Sequence, residues 1–291
     1  MNYQPGILEP IPQHAIFLEY GIVNLSSIDK SLKNLSKLVK ETKHIVGLGR
    51  HLTDALNIEI PGLEAFPDYS DNVYDIPATQ HALFVILRGE SSDQLGELAS
   101  AAGSGISDAF ALAEKTNGFK YKGGRDLTGY EYGTGNPVGE KAIHAAFVQD
   151  AKNPLNGSSF VSIQRWVHDF PEFDTMTREE QDKCIGRYQS TNERFDARRD
   201  SHVKKTAQES FDPEAFVLRR SMPWSDDRGR GLFFMAFGNS LRAFDVQMKS
   251  MMGAKDGFHD GLFDFSRPVS GGNYWCPPVL DGELDLSLAL T

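Results

Sequence analysis

Cysteine is almost absent. Cys184 and Cys276 are the only two in 291 residues, too few for a disulfide framework or a cysteine-based metal site. Long apolar runs are missing too: none reaches the roughly 18 residues of a membrane span, so no transmembrane helix is expected. Residues 1–14 lack a basic n-region and an apolar core, so no secretory or twin-arginine leader is expected, and the cytoplasm is the expected location. Positive charge is also short. Lys and Arg number 30 against 40 Asp and Glu, a net charge of −10. That balance argues against nucleic acid or an anionic membrane as partner, because neutralising phosphates takes a basic surface. None of the 8 histidines stands in H-E-x-x-H or a comparable metal spacing. What remains is 40% hydrophobic and 24% charged, the composition of a globular protein with one large or two medium cores.

The apolar pattern sets out two similar halves. Residues 14–24 (HAIFLEYGIVN) are mostly apolar without helical spacing and read as a buried strand. Residues 26–42 read as a helix, capped by Ser26 or Ser27, with Ile28, Leu32, Leu35, Leu38 and Val39 on one face. Residues 44–48 and 81–87 are strands separated by a proline-containing stretch. Residues 91–116 read as a helix with Leu95, Leu98, Ala102, Ile106, Ala109, Phe110 and Ala113 inward, and 119–122 as an edge strand. This β-α-β-β-α-β order is the ferredoxin-like unit. The order recurs as strand 160–167, a capping box Thr177 to Glu180 before a helix, strands 215–218 and 232–237, and helix 240–252. The expected class is therefore α+β: two ferredoxin-like halves, 1–132 and 133–291, with antiparallel sheets and helices packed outside. The apolar tail 284–291 is expected to pack on its own domain.

Two stretches carry unusual chemistry. Residues 124–137 interleave Gly124, Gly129, Gly133 and Gly135 with Arg125, Asp126, Tyr130, Glu131 and Tyr132. Glycine permits φ > 0 and close approach to a ligand, although a tight inter-domain connection would use it as well. The second stretch sets His202 among Arg198, Arg199, Lys204 and Lys205. Neighbouring cations disfavour an imidazolium, so such a ring stays neutral and able to ligate a metal. A solvated basic loop is the alternative.

Together these stretches resemble the dye-decolourising (DyP-type) haem peroxidases. Arg125-Asp126-Leu127, Gly129-Tyr130, Gly133-Thr134 and Asn136-Pro137 match the family's distal-haem motif. At that motif's acid–base aspartate, however, this chain has Tyr132. Asp200-Ser201-His202 is similar to the segment supplying the proximal histidine. Ile185-Gly186-Arg187, Leu218-Arg219-Arg220-Ser221-Met222-Pro223 and Phe263-Asp264-Phe265-Ser266 match further landmarks in family order. The N-terminal Gln4-Pro5-Gly6 and Ile60-Pro61-Gly62-Leu63 fit as well.

The resemblance implies haem b in the C-terminal half, covered by residues 124–137, with His202 as its iron ligand and Asp264 accepting that ring's other N–H. It implies Arg187 near a propionate, with Glu131, Gly133 and Thr134 also against the cofactor, and Arg219 and Ser221 facing the peroxide. Basic residues around His202 would meet the propionates. Hydrogen peroxide and small aromatic donors are the implied partners, and a homo-oligomer, a dimer or larger, the implied assembly. Tyr132 is the departure. A phenol of pKa near 10 is a far poorer proton acceptor than a carboxylate near 4. Either Arg219 and a water move the proton, or Glu131 or Asp126 substitutes, or the protein is a haem carrier or sensor with little turnover. A domain pair without haem is the remaining reading. Trp166, Trp224 and Trp275 are either electron relays or core aromatics.

Overall fold

The computed structural model describes residues 2–41 and 43–290 and is α+β. The first half contains β1 (His14–Ile22), α1 (Ile28–Glu41), β2 (Ile45–Gly49), α2 (Arg50–Ala55), β3 (Leu83–Gly89), α3 (Ser92–Ile106) and β4 (Phe110–Phe119). The second contains α4 (Glu140–Ala146), β5 (Ser159–His168), α5 (Phe170–Thr175), α6 (Arg178–Ile185), α7 (His202–Lys205), β6 (Leu218–Arg219), β7 (Met222–Asp226), β8 (Gly229–Gly238), α8 (Arg242–Met251), β9 (Ser266–Pro268) and β10 (Gly272–Cys276). A small hairpin, β11 (Val279–Leu280) and β12 (Glu283–Leu284), follows.

Within the first half the strand order is β4-β1-β3-β2; within the second it is β10-β5-β8-β7. These are the same ferredoxin-like order, and the pairings are antiparallel. β2 joins β10 at Gly49↔Tyr274 and Leu48↔Trp275, and β4 joins β7 at Gly118↔Trp224, so the two sheets close into one barrel. Ala15, Phe17, Phe84, Ile86, Val161, Phe233, Met235 and Tyr274 fill its interior. The alternate residues Ile16, Leu18, Tyr20, Val85 and Leu87 face outward, against Ile28, Leu32, Leu35, Val39, Leu95 and Ile106 of α1 and α3. Both faces of these strands are covered, which is why they read as unbroken apolar runs.

The helix expected over 91–116 ends at Ile106. Residues 110–119 are a strand instead, paired with β1 from Ile22↔Phe110 to His14↔Phe119. Alanine-rich sequence suits a helix, but a long antiparallel ladder beside β1 outweighs that preference. The edge strand expected over 119–122 is thus largely the end of β4. β7 and β10 were not anticipated. β10 reads as a Gly/Pro turn, yet Gly47 leaves space for Tyr274, since a Cβ there would lie 2.8 Å from the Tyr274 Cβ. The capping box holds: Thr177 Oγ1 accepts from Glu180 N at 3.3 Å, and Glu180 Oε2 accepts from Thr177 N at 2.7 Å. The tail does not pack on its own half as expected: Leu284, Leu286 and Ala289 enter the first half's core, and Ser36 Oγ accepts from Leu284 N at 2.8 Å. Thr42, Thr291 and the side chain of Leu38 lie outside the described structure. Among the described residues no helix is long and apolar enough to cross a membrane.

Candidate active site

The second half leaves a cavity between the outer face of its sheet, helix α8 and the loop 124–137. About 180 Å³ of it is open to the centres of water molecules, room for on the order of ten to twenty waters. Strand alternation decides much of the lining. Gln164, Trp166 and His168 come from β5 and Leu232 and Phe234 from β8, while Arg219 ends β6 and Ser221 lies in the short link between β6 and β7. Phe244, Met248 and Met251 of α8 add apolar wall.

His202 opens helix α7 and lines the cavity. Its Nδ1 lies 2.9 Å from Oδ2 of Asp260, whose side chain is fully buried. The other Asp260 oxygen accepts from Leu262 N at 2.8 Å, which locks the carboxylate in place. The partner expected for His202 was Asp264. That residue binds Arg198 instead and does not line the cavity. The two acids sit at the start and end of a 3₁₀ turn, Gly261–Asp264. At three residues per turn, positions four apart point about 120° from each other, so only one can meet the ring.

The basic residues beside His202 are likewise occupied elsewhere. Lys204 binds Asp196 at 2.6 Å, Lys205 binds Asp256 at 2.6 Å, and Arg199 covers the Phe258 ring. Positive charge reaches the cavity from Arg187, Arg194 and Arg219. Burial, then the charges of Arg187 and Arg194, lower the Arg219 pKa to about 10; burial and Arg194 lower that of Arg187. Arg194 is held by Glu209 at 2.9 Å.

The loop 124–137 forms the cavity's rim. Gly133 takes φ +72, and Gly135 lies close under Arg219, where a Cβ would meet Nη2 at a tight 3.1 Å. Gln208 donates to Gly135 O at 2.9 Å. Glu131 is tied to Arg125 at 2.8 Å and to Asn192 at 2.7 Å, and Thr134 also accepts from Asn192 at 2.9 Å. The Tyr132 hydroxyl is buried with no hydrogen-bond partner among the described residues. Burial, with the charge of Asp126, pushes its pKa well above the ordinary phenol value. Asp126 accepts from Thr128 N at 2.9 Å and Thr128 Oγ1 at 2.5 Å, and it meets His168 Nε2 at 3.1 Å. Burial would raise the Asp126 pKa, but His168 and the Thr128 bonds outweigh it and the net shift is downward.

The family described as Dyp-type peroxidase, C-terminal, matches residues 123–281, more than half of the chain. The chain belongs to the dye-decolourising peroxidase family. It is 28% identical over 293 residues to the dye-decolorizing peroxidase of Mycobacterium tuberculosis, covering 94% of this chain and 88% of that protein. It also superposes on the encapsulated DyP-type peroxidase of Mycobacterium smegmatis with a TM-score of 0.88 at 25% identity, covering 99% and 98% of the two chains. A variant of DypB from Rhodococcus jostii in complex with haem gives 0.84 at 22% identity, covering 93% and 94%, a likeness of fold alone.

As a dye-decolourising peroxidase the chain is a haem enzyme that reduces hydrogen peroxide and oxidises dye-like donors, which sets aside the carrier and sensor readings. The donor set suits that cofactor. An apolar slot, an imidazole oriented by a buried carboxylate and a trio of arginines match a flat macrocycle with a metal centre and two carboxylate tails. Among the described residues no cluster of three His, Cys, Asp or Glu could hold a bare metal ion. Asp260 escaped the sequence reading, while Arg194 and His168 stood in it only as one of a basic cluster and one of eight histidines. The spacing of two from Gln164 through Trp166 to His168 was the available sign that His168 shares their face.

Proposed function

We infer that His202 would hold the haem iron, and that Arg219, Ser221 and Tyr132 would face the peroxide. The observation that carries this reading is the bond between His202 Nδ1 and the buried Asp260. An acceptor at Nδ1 fixes the tautomer in which Nε2 keeps its lone pair for a metal, and it makes the imidazole more electron-donating. Haem, when bound, supplies the redox centre that takes oxidising equivalents from peroxide and passes them to a donor one electron at a time.

Arg219 presents fixed cationic donors to the oxygen on which negative charge develops. Even at a pKa of about 10 it remains a cation at neutral pH. Arg187 and Arg194, with Thr134 and the backbone at Gly133, suit the cofactor's carboxylates. Glu131 orders that rim through Arg125 and Asn192. Ser221 Oγ accepts from Met235 N at 3.2 Å, leaving its proton to orient water or peroxide. Tyr132 cannot act directly as a base at neutral pH, so peroxide activation is slower than with a carboxylate there.

The resemblance further supports small aromatic electron donors and a homo-oligomer working in the cytoplasm, and the repeated order of strands and helices supports a division of the chain between residues 132 and 133. The test of the site assignment is stopped-flow absorbance of the haemin-loaded protein mixed with hydrogen peroxide. A Soret band that changes rapidly and is restored by an aromatic donor supports it, as does loss of stable haem ligation in His202→Ala. Unchanged haem affinity and spectrum in that variant would refute it.

A further inference from the structure

The buried Tyr132 hydroxyl has no hydrogen-bond partner among the described residues, yet it lines the same cavity as Asp126 and His168. Their arrangement is tightly built. The Asp126 carboxylate holds Thr128 through one oxygen and His168 Nε2 through the other, while His168 Nδ1 is 2.6 Å from Ser266 Oγ. The His168 and Asp126 side chains are 4% and 11% exposed, and Phe170 and Phe265 flank the imidazole. The other carboxylate of the rim, Glu131, is half-exposed and occupied by Arg125 and Asn192. Asp126 is therefore the buried anion available to a proton entering this cavity.

We propose that Tyr132 relays protons between the peroxide and Asp126, with His168 and Thr128 as positioning residues that hold the carboxylate. This rests on the haem-site reading above. In the relay the peroxide O–H bond breaks as a new O–H bond forms on the Tyr132 oxygen. The phenol's original proton passes in the same movement to a water of the cavity and through it to an Asp126 oxygen, since the hydroxyl makes no direct bond to that carboxylate. Reversal returns a proton to the outer peroxide oxygen, which leaves as water as the O–O bond breaks, the second oxygen and the two oxidising equivalents being what the haem takes up in the established activity. No net charge develops on Tyr132, so its high pKa is no obstacle: a hydroxyl that gives one proton while taking another never becomes phenolate. The family's direct acid–base carboxylate at position 132 is thus replaced by a carboxylate one group further back.

Cyanide tests the relay without turnover, because it enters as the weak acid HCN, binds ferric haem as the anion and leaves its proton in the cavity. Haemin-loaded protein is mixed with cyanide at pH 7, and the Soret shift and the proton balance of a weakly buffered solution are recorded together. The parent is expected to bind without net proton release and to gain an infrared carboxylic-acid signal that Asp126→Asn lacks. Tyr132→Phe, which removes only an unpartnered oxygen, is expected to bind at least about tenfold more slowly and to release a proton to solvent. In Tyr132→Asp the Asp126→Asn change is expected to lose its effect, since the carboxylate at 132 accepts directly. Tyr132→Phe binding at the parent rate with the parent's proton balance overturns the relay, and it decides the matter even where Asp126→Asn fails to fold. Failure of the haem-site reading shows separately, as haemin binding that His202→Ala does not alter.

Discussion

Asn136 clasps the backbone of Arg219 at two points: its Oδ1 accepts the Arg219 N–H at 2.9 Å, and its Nδ2 donates to the Arg219 carbonyl at 2.9 Å. The glycine-rich loop and strand β6 are thereby joined at the residue that carries the cavity's most buried cation. Asn136→Ala removes both bonds and leaves backbone groups to find other partners. The expected loss is about 1–3 kcal/mol of unfolding free energy, read by chemical denaturation. The rate of reaction with peroxide should fall more than haem affinity does, because Arg219 loses its anchor while His202 does not.

Asp260 and Asp264 offer a paired comparison. Asp260→Asn should weaken the electron donation of His202, lowering the iron–histidine stretching frequency in resonance Raman spectra of the ferrous protein. Asp264→Asn breaks only the exposed pair with Arg198 and should leave that frequency unchanged. The opposite pattern would restore Asp264 as the histidine's partner.

Tyr132→Asp should react with peroxide faster than the parent, by up to about 10²–10⁴-fold, the usual span of general acid–base help. Stopped-flow measurement of the Soret change at several peroxide concentrations gives the second-order constants. A variant no faster than the parent would show that the aspartate adds nothing in this cavity.

Inside the barrel, Glu19 accepts from the Tyr274 hydroxyl at 2.8 Å, and burial raises its pKa from 4.5 to about 7. The folded state therefore binds more protons than the unfolded chain between those values. The contribution of the neutral acid is fully present below pH 4.5 and is lost as pH rises through about 7. Urea unfolding at pH 5 and pH 8 should show that decline in the parent and not in Glu19→Gln. At pH 8 the variant should be the more stable, by roughly 3 kcal/mol at most.

Much of the site was legible because its determinants are local. Gly133 and Gly135 mark a loop that turns sharply, and Arg219 and Ser221 stand in one short motif that reaches the cavity. His202 follows from its segment. Asp260 did not, because two acids four residues apart are equivalent until the 3₁₀ turn assigns them directions. Arg194 could not be singled out for a similar reason: a run of cations says nothing about which of them will line the cavity.

Local pattern, by itself, determined most of the strands and helices, the two ferredoxin-like halves in outline and the family, since apolar period and short motifs are written along the chain. Tertiary structure alone decided the rest. The open edge of β1 made residues 110–119 a strand against their helical composition. Closure of the two sheets into one barrel buried Glu19 beside Tyr274, far apart in sequence. Folding of the 124–137 loop onto β5 brought Asp126 to His168 across 42 residues, because a contact between distant residues depends on the pairing of whole elements and leaves no trace in the spacing of either.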